Sequence, residues 1–301
     1  MRKLKKYKPT KFMAKTSHYD KDAADYAVMF IESLCHTKGT WAGKPFELID
    51  WQEQIIRDLF GIIKGNGYRQ FNTAYIEIGK KNGKSELAAA VALYMLCADN
   101  EEGAEIYGCA NDRAQASIVF DVARDMVMQS DLLMERIKII ESQKRLVYMP
   151  TRSIYQALSS DVASKYGYNV HACIFDELLG QPNRKLFDVM TKGSGAARKQ
   201  PLNFVITTAG SDRTSICYEQ HAKAIDILEG RKHDSTFYPV VYSAPDDADW
   251  TAPRVWAMAN PSIGRTVDLE YYQQRCESAK ENPAEEIQFR QFHLCQWTNT
   301  A

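Results

Sequence analysis

Four short stretches of this 301-residue sequence carry side chains whose types and spacing suit work on a phosphoanhydride. The first is GKKNGKS at 79–85, where Gly83, Lys84 and Ser85 fill the last three places of the phosphate-binding pattern G-x-x-x-x-G-K-[ST]. The first glycine of that pattern is missing. Ile78 holds its place, and Gly79 follows one residue later. In such a loop the backbone N–H groups of Gly79, Lys80, Lys81, Asn82 and Gly83 would form an anion nest, and the helix that begins there adds partial positive charge. The Lys84 ammonium would reach the β- and γ-phosphates, and the Ser85 hydroxyl would bind Mg²⁺. A lysine-rich surface loop with a chance Gly-Lys-Ser is the bland alternative.

The second stretch, ACIFDE at 172–177, ends an apolar run in two carboxylates. Asp176 would hold Mg²⁺, directly or through water. Glu177 would polarise an attacking water as general base. The rival reading is an acidic pair capping a helix. The third, FVITTAG at 204–210, places Thr207 and Thr208 where a strand ends. They could sense the γ-phosphate and pass its loss onward, or simply form a turn. The fourth is Trp51-Gln52. A glutamine carboxamide can bond an adenine edge bidentately, although packing plus a surface amide would explain the pair as well.

These residues converge only if particular elements bring them together. TAYIEI (73–78) reads as a strand, followed by the loop and a long helix, SELAAAVALYMLCA. AEIYGCA (104–110) reads as a strand and 112–129 as a helix. RIKII and RLVYM suggest two strands about a turn at 141–144. NVHACIF (169–175) and PLNFVITTAG (201–210) are apolar strands that should neighbour the phosphate-loop strand. Upstream, residues 20–36 put Ala24, Ala27, Val28, Ile31 and Leu34 on one helical face. Asp50 is the expected N-cap of a helix that the GNG at 65–67 breaks. Beyond 213 the pattern becomes mainly helical (214–229, 251–259, 268–281, 283–296), interrupted by TFYPVVY at 236–242. Apolar strands alternating with helices predict an α/β fold with a mainly parallel sheet flanked by helices. Ligands in such folds bind at the C-terminal strand ends. We expect a basic tail over 1–18, a P-loop NTPase core over 19–212, and a small, mainly helical lid or linker over 213–301.

Formal net charge is zero, so the whole molecule is not a general polyanion binder, and any DNA contact must come from a local basic patch. Seven scattered cysteines without a C-x-x-C pair point to reduced thiols rather than a disulfide scaffold. The pairs His171/Cys173 and His293/Cys295 have no second pair nearby to make a metal site. No apolar run approaches the length needed to span a bilayer, so no membrane partner is expected. The basic start, MRKLKKYKPTKFMAK, lacks the apolar stretch of a signal peptide. It reads as a solvated tail or as a phosphate-contacting arm.

Several segments taken in order resemble the large terminase subunit of tailed bacteriophages. They are GTWAGKPFELIDWQEQIIRDLFG, IEIGKKNGKSELAAAVALYML, IYGCANDRAQASIVFDVARDMV, ACIFDELLGQPNRKLFDVMTKGSGAARKQPLNFVITTAG, WAMANPSIG and LEYYQQR. The resemblance runs from about 20 to 297. It implies a RecA-like ATPase of the ASCE class that threads double-stranded viral DNA into a procapsid, in the host cytoplasm. Portal protein, a small terminase subunit and a homo-oligomeric ring, expected to be a pentamer, would be its partners. ATP and Mg²⁺ would be its cofactors. Such subunits also carry a C-terminal nuclease domain with metal-binding acids; the sequence stops at Ala301, and no nuclease site is expected in it.

Carried over residue by residue, Gln52 becomes the adenine reader, and Lys84 and Ser85 bind phosphates and Mg²⁺. Asp176 and Glu177 hold metal and activate water. Thr207, Thr208, Ala209 and Gly210 match the motif that couples hydrolysis to movement. Lys80 stands where many members have arginine, and lysine offers a point charge rather than a planar fork. An arginine finger from a neighbouring subunit is also implied. Arg113, Arg124 and Arg198 are the candidates, with Arg113 preferred because it follows a strand in an open loop. A two-domain helicase would share these motifs but needs a second RecA-like domain, for which 213–301 is too short. A nucleotide-gated assembly module would not need the base Glu177.

Overall fold

In the computed structural model, residue 4 and residues 6–159, 167–192 and 197–298 are described. The chain opens with β1 (Ser17–Tyr19), α1 (Lys21–Glu32), α2 (Asp50–Gly61) and β2 (Ile62–Lys64). The central alternation follows: β3 (Thr73–Glu77), α3 (Lys84–Cys97), β4 (Glu105–Ala110), α4 (Arg113–Met128) and the single turn α5 (Asp131–Met134). Next come β5 (Ile137–Ile140), β6 (Arg145–Tyr148), β7 (Ser153–Ser159), β8 (Val170–Asp176), α6 (Lys185–Lys192) and β9 (Leu202–Thr207). The last part holds α7 (Ile216–Leu228), β10 (Phe237–Val241), α8 (Pro253–Ala259), α9 (Leu269–Glu281) and α10 (Pro283–His293).

Eight strands form one sheet in the order β10-β3-β9-β8-β4-β7-β6-β5. The first six run parallel, and β6 and β5 complete the edge antiparallel. Strand β9 therefore lies between the strand that leads into the phosphate loop and the strand that ends in the two acids, as expected of an ASCE-type P-loop fold. Successive residues of these strands face opposite sides. Ile76, Ile174, Phe204 and Ile206 enter one core with α1 to α4. Tyr75, Cys173, Phe175 and Val205 enter a second core with α6 and α7. Burial on both faces explains why β8 reads as an uninterrupted apolar run. Helix α3 is buried on nearly every side, as expected of a helix that is apolar all round.

The boundary expected at 212/213 falls inside this sheet domain. Helix α7 packs on the second core, and β10 pairs in parallel with β3, Val240 opposite Ile76. The segment with its own core begins near Ala244 and joins Val255, Trp256, Tyr272, Cys276, Phe289 and Leu294. Strand β7 was not expected. The break expected at 65–67 comes earlier, because the helix ends at Gly61 and the chain turns directly into β2. No Cβ fits at Gly61, where it would meet the Ala24 methyl at 2.7 Å. The apolar face foreseen on α1 is buried throughout, Leu34 just beyond it included.

The basic N-terminal stretch, in its described part, is neither a solvated tail nor a free arm. The Tyr7 hydroxyl donates to Asp58 at 2.6 Å, the Thr10 amide donates to the same carboxylate, and β1 pairs with β2. All seven cysteines are free thiols. Among the described residues no helix is long and apolar enough to cross a membrane.

Candidate functional site

The strand order brings the ends of β3, β9 and β8 side by side at the C-terminal edge of the sheet, and the foreseen residues meet there. The Ser85 hydroxyl, one residue into α3, donates to Asp176 Oδ2 at 2.6 Å, across 91 residues of sequence. Lys84 Nζ lies 2.9 Å from Glu177 Oε1 and 2.9 Å from Thr208 Oγ1. The Thr208 hydroxyl in turn donates to Glu177 at 3.3 Å. The loop is tied to β9 because the Ile78 amide donates to the Thr207 carbonyl at 3.0 Å. One ammonium, two hydroxyls and two carboxylates thus surround one spot.

Two of the carboxylate oxygens there, Asp176 Oδ1 and Glu177 Oε2, are buried without a hydrogen-bond partner. Burial pushes the Asp176 carboxyl up to about 6; the charge of Glu177 adds to that shift, while the Ser85 hydroxyl and Lys84 oppose it. Glu177 is also held in the left-handed region, at φ 64°, an unfavourable conformation for a side chain of this size. Unpaired anionic oxygens beside a free hydroxyl oxygen make a donor set suited to a hard cation such as Mg²⁺. Ser85 and Asp176 fit as its holders.

The loop itself departs from expectation at two positions. The amide of Gly79 donates to the Ala259 carbonyl at 3.1 Å, and that of Lys80 to the Phe292 carbonyl at 2.7 Å. These two amides are therefore already occupied and cannot belong to the anion nest. The amides left for an anion run from Lys81 to Ser85, the last two in the first turn of α3, where no intrahelical acceptor exists. Lys81 and Gly83 take left-handed backbone, at φ 71° and 82°. Glycine serves Gly83 for that reason. The Lys80 ammonium lies 3.4 Å from the centre of the Phe292 ring, and burial, with Lys84 and Lys81 nearby, pushes its pKa down.

Gln52 is buried in α2. Asp50 does not cap this helix; the cap position is Ile49, whose N–H donates to Gln52 Oε1 at 3.2 Å. Asp50 instead pairs with Arg265. Gln52 borders a cavity of about 490 Å³ that is also lined by Gly83, Ser85, His36, Trp41 and Ile118. A Cβ built on Gly83 would lie 3.8 Å from Gln52 Nε2, so the carboxamide sits beside the loop. Trp51 packs, as its bland reading had it, and donates from Nε1 to Ser262 Oγ at 3.0 Å.

Of the three arginine candidates, Arg198 is committed at home: it bonds Glu101 and the carbonyls of Glu102, Gly103 and Asn169. Arg124 pairs with Asp121, Asp125 and Glu141. Arg113 is exposed at the start of α4, on the same sheet edge as the site, and has no ion-pair partner among the described residues. Part of the glycine-rich loop before Arg198, residues 193–196, lies outside the described residues.

Glu77, which belongs to none of the motifs, is completely buried at the end of β3. It accepts from the Tyr75 hydroxyl at 2.6 Å and from Trp297 Nε1 at 3.3 Å, and meets His221 Nδ1 at 2.9 Å. The Thr207–Gly210 segment is likewise surrounded. The Leu179 amide donates to Thr207 Oγ1, Gln291 donates to the Ala209 carbonyl, and the Trp297 ring lies 3.0 Å from where a Gly210 Cβ would be. Asn82, Asn260 and Ser262 also interlock beside the loop.

A family model described as terminase large subunit, ATPase domain, matches residues 50–225. The terminase large subunit of Enterobacteria phage HK97 is 30% identical over 281 residues, which cover 91% of this chain and 53% of that protein. The crystal structure of the HK97 large terminase superimposes with a TM-score of 0.79 at 28% identity, covering 91% of this chain and 55% of that one. The ATPase domain of the Thermus phage P74-26 large terminase shares the fold, with a TM-score of 0.54 at 17% identity; it covers 75% of this chain and 88% of that one. The chain spans about half the length of the curated relatives it matches.

Proposed function

Because the chain belongs to the terminase large-subunit ATPase domain family, we propose that it is the ATP-hydrolysing motor part of a machine that drives double-stranded viral DNA into a procapsid. The observation that carries this reading is the meeting of Ser85 with Asp176 and of Lys84 with Glu177 and Thr208 at one sheet edge.

In this reading the amides from Lys81 to Ser85 and the Lys84 ammonium bind the phosphates. Gln52, at the rim of its cavity, bonds the adenine edge through its free Nε2 and the second lone pair of Oε1. When Mg²⁺ is bound by Ser85 and Asp176, it supplies charge neutralisation of the phosphate oxygens. Glu177 holds a water with its carboxylate and takes its proton as the water oxygen bonds the γ-phosphorus. The bond to the bridging oxygen breaks, and ADP and phosphate leave. Thr208 touches both Lys84 and Glu177, so it is placed to respond when the γ-phosphate goes. The Thr207–Gly210 segment then passes the change to α7, α10 and Trp297, which pack on it. Arg113 serves as the finger offered to a neighbouring copy. A homo-oligomeric ring, expected to be a pentamer, would act with portal protein and a small terminase subunit in the host cytoplasm.

The test is phosphate release by the 301-residue chain and its Lys84→Ala and Glu177→Gln variants. Loss of the general base should lower turnover by about 10²–10⁴-fold, with Lys84→Ala at least as severe. Wild-type rates in both variants would remove the site assignment.

A further inference from the structure

We propose that Asn260 is a positioning residue that holds the phosphate loop in its anion-binding shape from the small C-terminal core. The inference rests on the nucleotide-site reading above.

Asn260 follows α8 and is completely buried. Its amide nitrogen donates to the Trp256 carbonyl at 2.8 Å and to the His293 carbonyl at 2.5 Å. Its Oδ1 accepts from Asn82 Nδ2 at 2.8 Å, across 178 residues. Asn82 Nδ2 also reaches the Gly79 carbonyl at 2.9 Å, and Asn82 Oδ1 accepts the Ser262 amide at 3.2 Å. Two carboxamides are thus face to face, one in the loop and one in the small core, and every nitrogen and oxygen of both has a partner. On either side the Gly79 and Lys80 amides donate to the carbonyls of Ala259 and Phe292.

This arrangement explains the irregular motif. Gly79 is absent from the positive-φ residues, so its backbone does not demand glycine. Space does. A Cβ at 79 would lie 2.2 Å from Asn260 Oδ1 and 3.1 Å from its Cγ. Gly79 is glycine because the Asn260 amide occupies that volume. The loop also contains two left-handed residues, Lys81 and Gly83, and non-glycine backbone in that region persists only where the surroundings hold it. The Asn82–Asn260 lock is what holds it. The small core is therefore part of the phosphate site and need not touch the nucleotide to act on it.

The experiment measures Mg-ADP affinity by calorimetry, well below the unfolding midpoint, together with KM and kcat for ATP. Asn260→Ala should weaken affinity and raise KM about tenfold, equal to about 1.4 kcal/mol, with a smaller change in kcat. Gly79→Ala alone should do at least as much, because the new methyl meets the Asn260 amide. In the double variant only the Ala259 carbonyl, 3.2 Å from the new methyl, stays close, so affinity should fall little below that of Asn260→Ala alone. Asn260→Ser, too short to reach Asn82 but still polar, should repeat the result if the alanine variant folds poorly. A merely structural residue would lower the melting midpoint while leaving affinity unchanged. Unchanged affinity in a folded Asn260 variant, or additive losses in the double variant, overturns the proposal. Nucleotide binding by the wild type without any hydrolysis would instead defeat the ATPase reading and leave this one standing.

Discussion

Opposite ends of the same sheet each bury a cluster of charged groups, and the two are built differently. At the N-terminal end, Arg69, Asp99 and His171 are all buried. Both Asp99 oxygens are met, by two Arg69 nitrogens and by His171 at 2.6 Å, and Arg69 also donates to the Gln200 carbonyl. Although burial opposes it, this company holds the Asp99 carboxyl below the usual carboxylate range. At the C-terminal end, Asp176 and Glu177 each keep an unpaired buried oxygen, and the Asp176 carboxyl is pushed up. Three lysines, at 80, 81 and 84, crowd the same edge and, after burial and Arg275, help push His293 down. Neutralised charge ties the loops of the lower end together. Incompletely paired charge of both signs at the upper end is what a metal–polyphosphate complex would complete.

The largest effect that would break this contrast is a dissociation of stability from activity. Arg69→Met leaves Asp99 buried and short of its strongest partner, which typically costs about 3–5 kcal/mol. Urea unfolding should show that loss, while turnover per folded molecule stays near wild type. Glu177→Gln should do the reverse, abolishing turnover with a stability change below about 1 kcal/mol, since its Lys84 partner bond is partly solvated. If Arg69→Met silenced turnover at full stability, the lower cluster would have to be reassigned.

Acid separates the ends next. His293 is buried against Tyr271, Tyr272 and Phe289 with its Nδ1 unpartnered, and burial, with the nearby cations, lowers its pKa to about 4. Between 6.5 and 4 the unfolded chain therefore binds this proton and the folded chain does not, so stability falls as pH falls through that window. The full difference is at most about 3 kcal/mol. His293→Phe keeps the aromatic packing and should remove that part of the slope. Equal slopes for wild type and His293→Phe would contradict the assignment. Ligand should act at the upper end alone. Mg-ADP at a hundredfold over its dissociation constant should stabilise the wild type and Arg69→Met alike by about 2.7 kcal/mol, and Lys84→Ala far less, as read by the shift in thermal midpoint.

The site was legible because its parts are local. Asp176-Glu177 ends a strand that is apolar at every position, and Gly83-Lys84-Ser85 opens a helix. Strand order then follows from the α/β plan. What escaped reading depends on distant partners. Ser153–Ser159 alternates polar and apolar residues too weakly to announce β7, and its place between β4 and β6 is set by pairing. Asn260 looks like a surface residue at the end of a short helix. It is buried because Asn82, Trp256 and His293 satisfy its amide, and no local pattern encodes that agreement. Gly79 and Lys80 fit the nest by motif, but their amides are taken by carbonyls roughly 180 and 210 residues away in the chain.

The N-terminal stretch misled for a related reason, and it supplies the smallest test. Its many lysines suggest solvent, yet Tyr7, Thr10 and Ala14 between them donate to Asp58 and Gln70, and Lys11 itself donates to the Leu228 carbonyl. Asp58, buried in α2, accepts from the Tyr7 hydroxyl, the Thr10 amide, Gln54 and the Tyr238 hydroxyl of β10. It is another buried carboxylate with both oxygens met, like Asp99 and Glu77 and unlike Asp176, although burial still pushes its pKa up. If completed hydrogen bonding marks a structural role wherever it occurs, Tyr7→Phe should cost about 1–2 kcal/mol and leave nucleotide affinity untouched. Tyr238→Phe, removing a donor of similar geometry from the sheet side, should cost a similar amount. The two losses together should exceed their sum, because Asp58 would then keep only two donors in a site with no access to water. A loss of nucleotide affinity in Tyr7→Phe at unchanged stability would show that a satisfied carboxylate can serve the site after all, and the distinction between the two ends of the sheet would have to rest on charge alone.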